Sequence, residues 1–505
     1  MTGAAMRGEP IARDPVVRRR LVLAGVGLAF AGLAFAVLQL AVGDAEWVGA
    51  LLLLIAVGGL GLVPFSSALA FVYIALAGPL VITLNRHSGP WGPGKLVLYL
   101  FVLVSLLMAV AAWPRRRSSR LGLLPAGLFL LTFAIYLGGH VIAADDRAAA
   151  FETFVNHLYH WPLLLVPALL LRDRWQPRLV LLFFAGLATT LALATVGISF
   201  LAAGPLAALS AGGAYHRVHL NFGTPNSLGV FLSLAFFVVF HAWVPGSRAA
   251  RWLRWGASVA ILLAIALTFS RRAWLATGLV LGFHYLRHLD WRGLVLAGVV
   301  ALGLWGGPLE KVEERAMTMV DPDAPANVER TQEVLGQLRR LPGADRISWL
   351  GWGIERSAGA AEVESSGPSA VYFHNYYLTL YYLGGVVAVV LYLGIVLAAF
   401  GGLWRALRRS RAPDTRGALA AGMACLAVLL VQGLFGMGNV VFPANYLSAL
   451  VPGLAFAAYA QERAARAREA DEADAATAAI VPATAPPGAA PPVAGAPTGS
   501  GAGPG

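Results

Sequence analysis

"VYFHNYYLTLYYLGG" (residues 371–385) marks a border where a long polar segment ends and an apolar run begins. The run continues to residue 402, enough for a helix to cross a bilayer, which takes roughly 20 apolar residues. Polar side chains at such a doorway, His374 and Asn375, are either solvated caps or groups aimed at a substrate. The rest of the chain repeats the pattern. It has 505 residues, 58% hydrophobic and 13% charged, where a soluble protein carries roughly 25% charged residues. Apolar runs near 20–42, 47–63, 66–84, 96–113, 121–138, 159–171, 178–202, 226–245, 252–270, 272–288, 292–308, 374–402, 416–436 and 442–460 predict an all-α polytopic membrane protein of about 14 transmembrane helices (12 to 14). Barrel strands would alternate apolar and polar residues, and these runs do not.

The net charge is +12, from 38 Lys+Arg against 26 Asp+Glu. Nucleic acid is the weaker explanation, because most arginines sit in short loops between runs. With the N-terminus in the cytoplasm, the cytoplasmic segments hold 25 of the 38 basic residues. The short outer segments hold six: Arg86, Lys95, Arg147, Arg217, Arg271 and Arg272. The remaining seven lie in the long loop 309–373, and long loops are exempt from the positive-inside rule. The bias predicts a multi-pass protein with both termini cytoplasmic, and an extracytoplasmic loop 309–373 with His374 at its end. The run Leu21–Val42 is too long for a signal-peptide core and reads as a retained first span. Cys425, the single cysteine, lies in an apolar run and reads as a buried inert thiol.

Residues 1–460 therefore form the membrane domain, and 461–505 a cytoplasmic tail. "QERAARAREADEADAA" (461–476) suggests a short charged helix, and the Ala/Pro/Gly-rich segment 482–505 has too few apolar side chains for a core. In the long loop, 327–343 has helical spacing and a Pro-Gly stop. The Gly/Ser-rich stretch 348–370 reads as a mobile loop.

Three outer sites share one geometry. In "HRVHLNFGTPNSLG" (216–229) Thr224 is a good cap and Pro225 a good first residue for an inward helix. In "TFSRRAW" (268–274) Ser270 is placed to cap the next inward helix, with Arg271 and Arg272 at its start. In "FHNYYL" (373–378) Asn375 is placed to cap a third. Helix N-termini carry unsatisfied N–H groups and the positive end of a dipole, and bind phosphate readily. With Arg217, Arg271, Arg272 and His374 they predict a cationic pocket at the bilayer surface, suited to a lipid-linked phosphate or diphosphate. Arginines favour the cytoplasmic side, so a pair in a tight outer turn runs against the trend. A lone interfacial histidine is usually structural, and Tyr376, Tyr377, Tyr381 and Tyr382 read first as an aromatic belt.

The order "SRRAW", then "LPGADRISWLGWG" (341–353), then "FHNYYLTLYYLGG" resembles the O-antigen ligase and O-antigen polymerase superfamily. The matching features are Ser270-Arg271, then Pro342 with Gly351-Trp352-Gly353, then His374, Asn375, Tyr377, Leu378, Gly384 and Gly385. Arg217 with Pro225-Asn226 resembles an upstream element. The likeness covers about 216–400. Arg272 stands where the family often has a small residue, the predicted spans outnumber the usual count, and the Pro-rich tail is outside the pattern. The resemblance implies a C-type glycosyltransferase fold and a metal-independent, inverting transfer without cofactor. The glycan would move from an undecaprenyl-diphosphate carrier to a glycan or lipid A-core acceptor, on the periplasmic or outer face of the cytoplasmic membrane. Ligases of this family deliver to lipid A core, polymerases join repeat units, and relatives glycosylate proteins. It implies His374, Arg271 and Arg217 as catalytic residues. Arg271, Arg217, Arg272 and Asn226 would bind the donor diphosphate, and Asn375 and Tyr377 would shape the entrance.

Two alternatives stand beside this. His157 and His160 in "HLYH" (157–160) have a spacing that suits zinc, though a polar interfacial helix explains them more simply. A lipid-linked-glycan flippase or transporter would use ionisable groups in mid-membrane, and no Asp or Glu falls inside an assigned span.

Overall fold

The computed structural model describes residues 66–84, 93–112, 120–203, 225–242, 247–288, 347–352, 375–434 and 442–480, with the single residues 62, 328 and 332. The predicted spans 20–42, 47–63 (but for residue 62) and 292–308, the loop helix at 327–343 (but for residues 328 and 332), Thr224 and the segment 482–505 lie outside them.

Among the described residues there is no strand. The helices are α1 (Ser67–Leu84), α2 (Pro93–Ala112), α3 (Arg120–Ala143), α4 (Arg147–Leu158), α5 (Val166–Leu170), α6 (Trp175–Ala203), α7 (Pro225–Phe237), α8 (Arg248–Leu267), α9 (Arg271–His288), α10 (Tyr376–Arg409), α11 (Pro413–Leu434) and α12 (Phe442–Ile480). Among the described residues, five stretches are long and apolar enough to cross a membrane: Leu123–Ala143, Trp175–Ser199, Arg248–Leu267, Tyr376–Arg409 and Pro413–Leu434. The protein is an all-α membrane protein.

The surface of these helices agrees with that class. On α3, Leu124, Leu128, Leu131, Ile135 and Ile142 are exposed, and on α2, Leu100, Leu103, Leu107 and Val110. Steps of three, four and seven put each set on one helix face, a stripe that suits lipid and not water. The opposite faces enter a core that includes Phe101, Phe133, Leu137, Tyr392 and Val396. Several hydroxyls inside the helices bond their own backbone, as in Thr195 to Leu191 O (2.8 Å) and Ser233 to Gly229 O (2.7 Å), which satisfies them without water.

The predicted span 159–171 is not one helix. It divides into a 3-10 turn, Trp161–Leu164, and the five-residue α5. Pro162 and Pro167 lack the N–H that a continuous ladder needs, and five residues cover only about 8 Å. The charged stretch after residue 460 is helical as expected, as the continuation of α12.

Two contacts join segments that the arginine count assigns to one face. Arg178 pairs with Asp414 at 2.7 Å, though both are about half exposed and such a pair contributes little. Glu462 matters more. It is 4% exposed and accepts from Ser410 Oγ at 2.6 Å, Arg411 N at 2.8 Å and Ala412 N at 3.1 Å. One carboxylate thus satisfies the backbone between α10 and α11. Burial pushes the Glu462 carboxyl up, but these hydrogen bonds, with one from Thr415, together hold it below its ordinary value.

A carboxylate with a lowered folded pKa stabilises the fold above its unfolded pKa, and that contribution fades as pH falls through the folded value. Glu462→Gln should therefore lower stability at pH 7 by about 1–3 kcal/mol, the scale of hydrogen bonds to a charged group. The loss should shrink as pH drops below the ordinary 4.5. Apparent melting temperatures of the two proteins in one detergent, from pH 7 down to pH 3, check both statements.

Candidate functional site

At the start of α10, Asn375 caps the helix as its place before the apolar run predicts. Its side-chain oxygen accepts from Leu378 N at 3.1 Å, and its Nδ2 donates to Leu434 O at 3.1 Å. The Tyr377 hydroxyl donates to Leu430 O at 2.7 Å. Both residues tie α10 to the end of α11, where the Leu434 carbonyl has no partner within its own helix. His374 itself lies outside the described residues, and so does Arg217.

Tyr376 and Tyr382 are not part of an aromatic belt. Tyr376 is fully buried and Tyr382 is 3% exposed. The Tyr376 ring stacks on His157 (5.7 Å, 16°) and meets Tyr392 edge-on (5.1 Å), which in turn meets Trp161 (5.8 Å). The "HLYH" segment is not a polar interfacial helix either, because His157 is 4% exposed and His160 fully buried. His157 Nδ1 donates to Thr153 O at 2.8 Å. Burial holds this imidazole below its ordinary range, and the bond to Thr153 pulls the other way. Among the described residues no three His, Cys, Asp or Glu converge as a metal site would need.

Eight residues beyond Tyr376, α10 breaks. Gly384 (φ −142°, ψ 22°) and Gly385 (φ 65°, ψ −162°) leave helical geometry. In an unbroken helix Val386 N–H would donate to the Tyr382 carbonyl. Here the two are parted, and each finds a partner in residues 348–352. Val386 N donates to Ser348 O (3.1 Å), Val387 N to Trp349 O (3.3 Å), and Trp352 N to Tyr382 O (2.8 Å). The Tyr136 hydroxyl of α3 donates to Gly384 O at 2.7 Å, and Ser348 N donates to the Tyr381 hydroxyl at 3.0 Å. A Cβ at Gly385 would fall on the Trp349 carbonyl, and one at Gly351 (φ 77°) would lie 2.6 Å from Gly384 N. The expectation of a mobile loop therefore fails for Ser348–Trp352, which is pinned by backbone bonds. Residues 353–370 lie outside the described set.

The second part of the site is where α7 meets the turn between α8 and α9. That turn is tight: Phe269 has φ 50°, a region bulky residues rarely occupy. Thr268 Oγ1 donates to Ile265 O (2.7 Å) and accepts from Ser270 N (3.3 Å), and Trp274 Nε1 donates to Ile265 O (3.0 Å). Ser270 does not cap α9. It is fully buried, and its hydroxyl makes no hydrogen bond. Its Cβ is pressed against α7, 3.0 Å from where a Cβ on Gly229 would sit. The absence of a side chain at Gly229 lets the first turns of α7 and α9 touch. Asn226 on one and Arg271 and Arg272 on the other, all half-buried, are thereby carried into neighbouring turns.

A buried contact joins α7 to α11. Cys425 Sγ lies 3.6 Å from Leu234 O, and the cysteine is buried as expected. Leu234 is nine residues from the start of α7, and Cys425 nine from the end of α11, about 14 Å in each case. With α7 running inward and α11 outward, the directions the arginine count predicts, the start of α7 falls at the end of the bundle where α11 finishes and α10 begins. On those directions the starts of α7, α9 and α10 share one end of the bundle, here termed the Asn375 face.

Neither the scan against protein-family models nor the search of curated proteins finds a match for this chain.

The Gly229 contact is testable. Gly229→Ala would bring its methyl to 2.9 Å from Thr268 Oγ1 and 3.0 Å from Ser270 and Ala273 Cβ. It should destabilise by about 1–3 kcal/mol, the usual cost of overpacking. Gly278→Ala on the same α9, where nothing lies within 4 Å, should be neutral or stabilising by up to ~1 kcal/mol from helix propensity. Thermal unfolding of the two variants beside the parent reads the difference.

Proposed function

We propose that the chain transfers a glycan from an undecaprenyl-diphosphate carrier to an acceptor hydroxyl. In this reading the Asn375 face is the extracytoplasmic face of the cytoplasmic membrane, and the enzyme is an inverting, metal-independent glycosyltransferase of the O-antigen ligase type. The observation that carries the reading is the contact of α7 with α9 through Gly229 and Ser270. It gathers helix N-termini, Arg271 and Arg272 at one end of a membrane bundle. N–H-rich, cationic ground at a bilayer surface suits a lipid-linked diphosphate.

In the reaction the acceptor oxygen attacks the anomeric carbon from the side opposite the diphosphate. The bond from that carbon to the phosphate oxygen breaks, its electron pair leaves with undecaprenyl diphosphate, and the configuration inverts. Arg271 and Arg217, with Arg272, Asn226 and the helix N-termini, bind the diphosphate and stabilise the departing charge. His374 takes the proton from the acceptor hydroxyl, a role suited to an imidazole of ordinary pKa near 6.5. Asn375 and Tyr377 set the height of α10 against α11 through Leu434 and Leu430, and so the position from which His374 acts. A lipid A-core acceptor defines a ligase, and a growing repeat-unit chain defines a polymerase of the same superfamily.

Purified protein in nanodiscs, given undecaprenyl-diphosphate glycan and a panel of acceptors with EDTA present, should release undecaprenyl diphosphate and form a new glycosidic bond. Arg271→Ala should slow transfer by about 100-fold or more, and His374→Ala by about 100- to 10,000-fold, with folding intact. Donor that crosses liposome membranes without transfer would replace this reading with a flippase. Full activity in His374→Ala would remove the base assignment.

A further inference from the structure

The pinned segment beside the α10 break carries an inference of its own, independent of the chemistry proposed for the site. Three of its side chains are large, apolar and exposed: Ile347 at 70%, Trp349 at 64% and Leu350 at 63%. Their backbone is not free to turn them elsewhere, because it is bonded to Val386, Val387 and Tyr382 of α10. Exposure on a loop over water would be unfavourable, so the depth of the segment decides what covers it.

Two helices give that depth. At the far end of α10, the Arg408 guanidinium lies 4.7 Å over the Trp404 ring, a pair that suits the membrane interface. Gly384 is twenty residues back from Trp404. At 1.5 Å per residue that is about 30 Å, the thickness of the hydrocarbon core. On α3, Tyr136 is sixteen residues, about 24 Å, from the first residue Arg120. Tyr136 donates to Gly384 O and also approaches Leu350 O at 3.5 Å. Its neighbours Leu131 and Ile135 are 57% and 67% exposed on the lipid-facing stripe. The two counts, about 30 Å and about 24 Å, put the segment in the outermost several ångströms of a hydrocarbon core about 30 Å thick, continuous with a surface that already faces lipid.

We infer that Ile347, Trp349 and Leu350 form a re-entrant wedge, held at depth by the backbone clasp on the broken helix, whose occupant is the acyl chains of the bilayer. Trp349 suits the boundary, where an indole keeps its N–H near headgroups and its rings among chains. Ile347 and Leu350 add apolar area beside it. The wedge fixes the height at which this loop segment stands over the bundle, through backbone bonds that lipid shields from competing water.

The test uses the full chain in phospholipid nanodiscs in a Cys425→Ser background, which removes the chain's one thiol. Leu350→Cys and, separately, Ile347→Cys carry a nitroxide, and power saturation compares collisions with oxygen, which partitions into lipid, and with a water-soluble nickel chelate. Leu128→Cys, on the exposed α3 stripe, is the lipid reference, and Glu469→Cys, an exposed charged position, the water reference. The wedge predicts oxygen above nickel at both sites, as at Leu128→Cys. Nickel above oxygen, as at Glu469→Cys, overturns it. So does low access to both reagents that rises when the protein-to-nanodisc ratio is lowered, since a second copy of the chain would then be the cover. Tyr381→Phe removes the acceptor for Ser348 N and should shift the ratio toward nickel. An unchanged ratio there, with Gly351→Ala also unchanged, would show that the clasp does not hold the wedge.

Discussion

A backbone polar group in hydrocarbon has to find its partner within the protein, and this structure is organised around the place where a helix gives up that self-sufficiency. At Gly384–Gly385 the α10 ladder opens, and the carbonyl of Tyr382 and the N–H of Val386 lose each other. Residues 348–352 supply both replacements through Trp352 and Ser348. Tyr136 takes the Gly384 carbonyl. The break therefore binds α3, α10 and a loop segment remote in sequence into one unit. Glycine is needed on both sides of the contact, because backbone meets backbone with no room for a Cβ at Gly385 or Gly351.

The same economy operates at the helix ends. Asn375 satisfies an N–H of its own helix and a terminal carbonyl of α11 with one amide. Glu462 does the corresponding work at the other end of α10, with one carboxylate for a hydroxyl and two backbone N–H groups. Helix α10 is thus fixed at its start, at its break and at its end by polar groups from different parts of the chain. A rigid α10 matters for the proposed chemistry, since the residue before Asn375 is the one assigned to take the proton. The start of α9 differs. Ser270 is given to packing against α7 and does not cap its helix.

Much of this was legible in the sequence. Long uncharged runs require a helical membrane protein, because no other element with such a pattern satisfies its backbone in lipid. The place of Asn375 before an apolar run announced a cap, and the depth of Cys425 in its run announced burial. The reading failed where partners are distant. Tyr376 looked interfacial by position, yet His157 and Tyr392 bury it. Proline in 159–171 was compatible with a span on hydropathy alone, but its missing N–H groups divide that stretch. Ser270 stood in a capping position, and only its neighbour Gly229 shows why the cap is not made. The Gly351-Trp352-Gly353 and Gly384-Gly385 elements stood out in the sequence as a family-like pattern without a visible cause.

By itself the sequence determined the class of the protein, the helical periods and the local ends of several helices, since these follow from hydropathy and from caps within four residues. Only the tertiary structure decided that Gly351 and Gly385 are two halves of one contact. Only it decided that the first turns of α7 and α9 meet through Gly229, and that Glu462 closes the α10–α11 turn. These are contacts between residues tens to hundreds of positions apart, made through backbone atoms and missing side chains. Such atoms carry no signature in a single sequence, because every residue has the same backbone and a glycine does not say what lies against it.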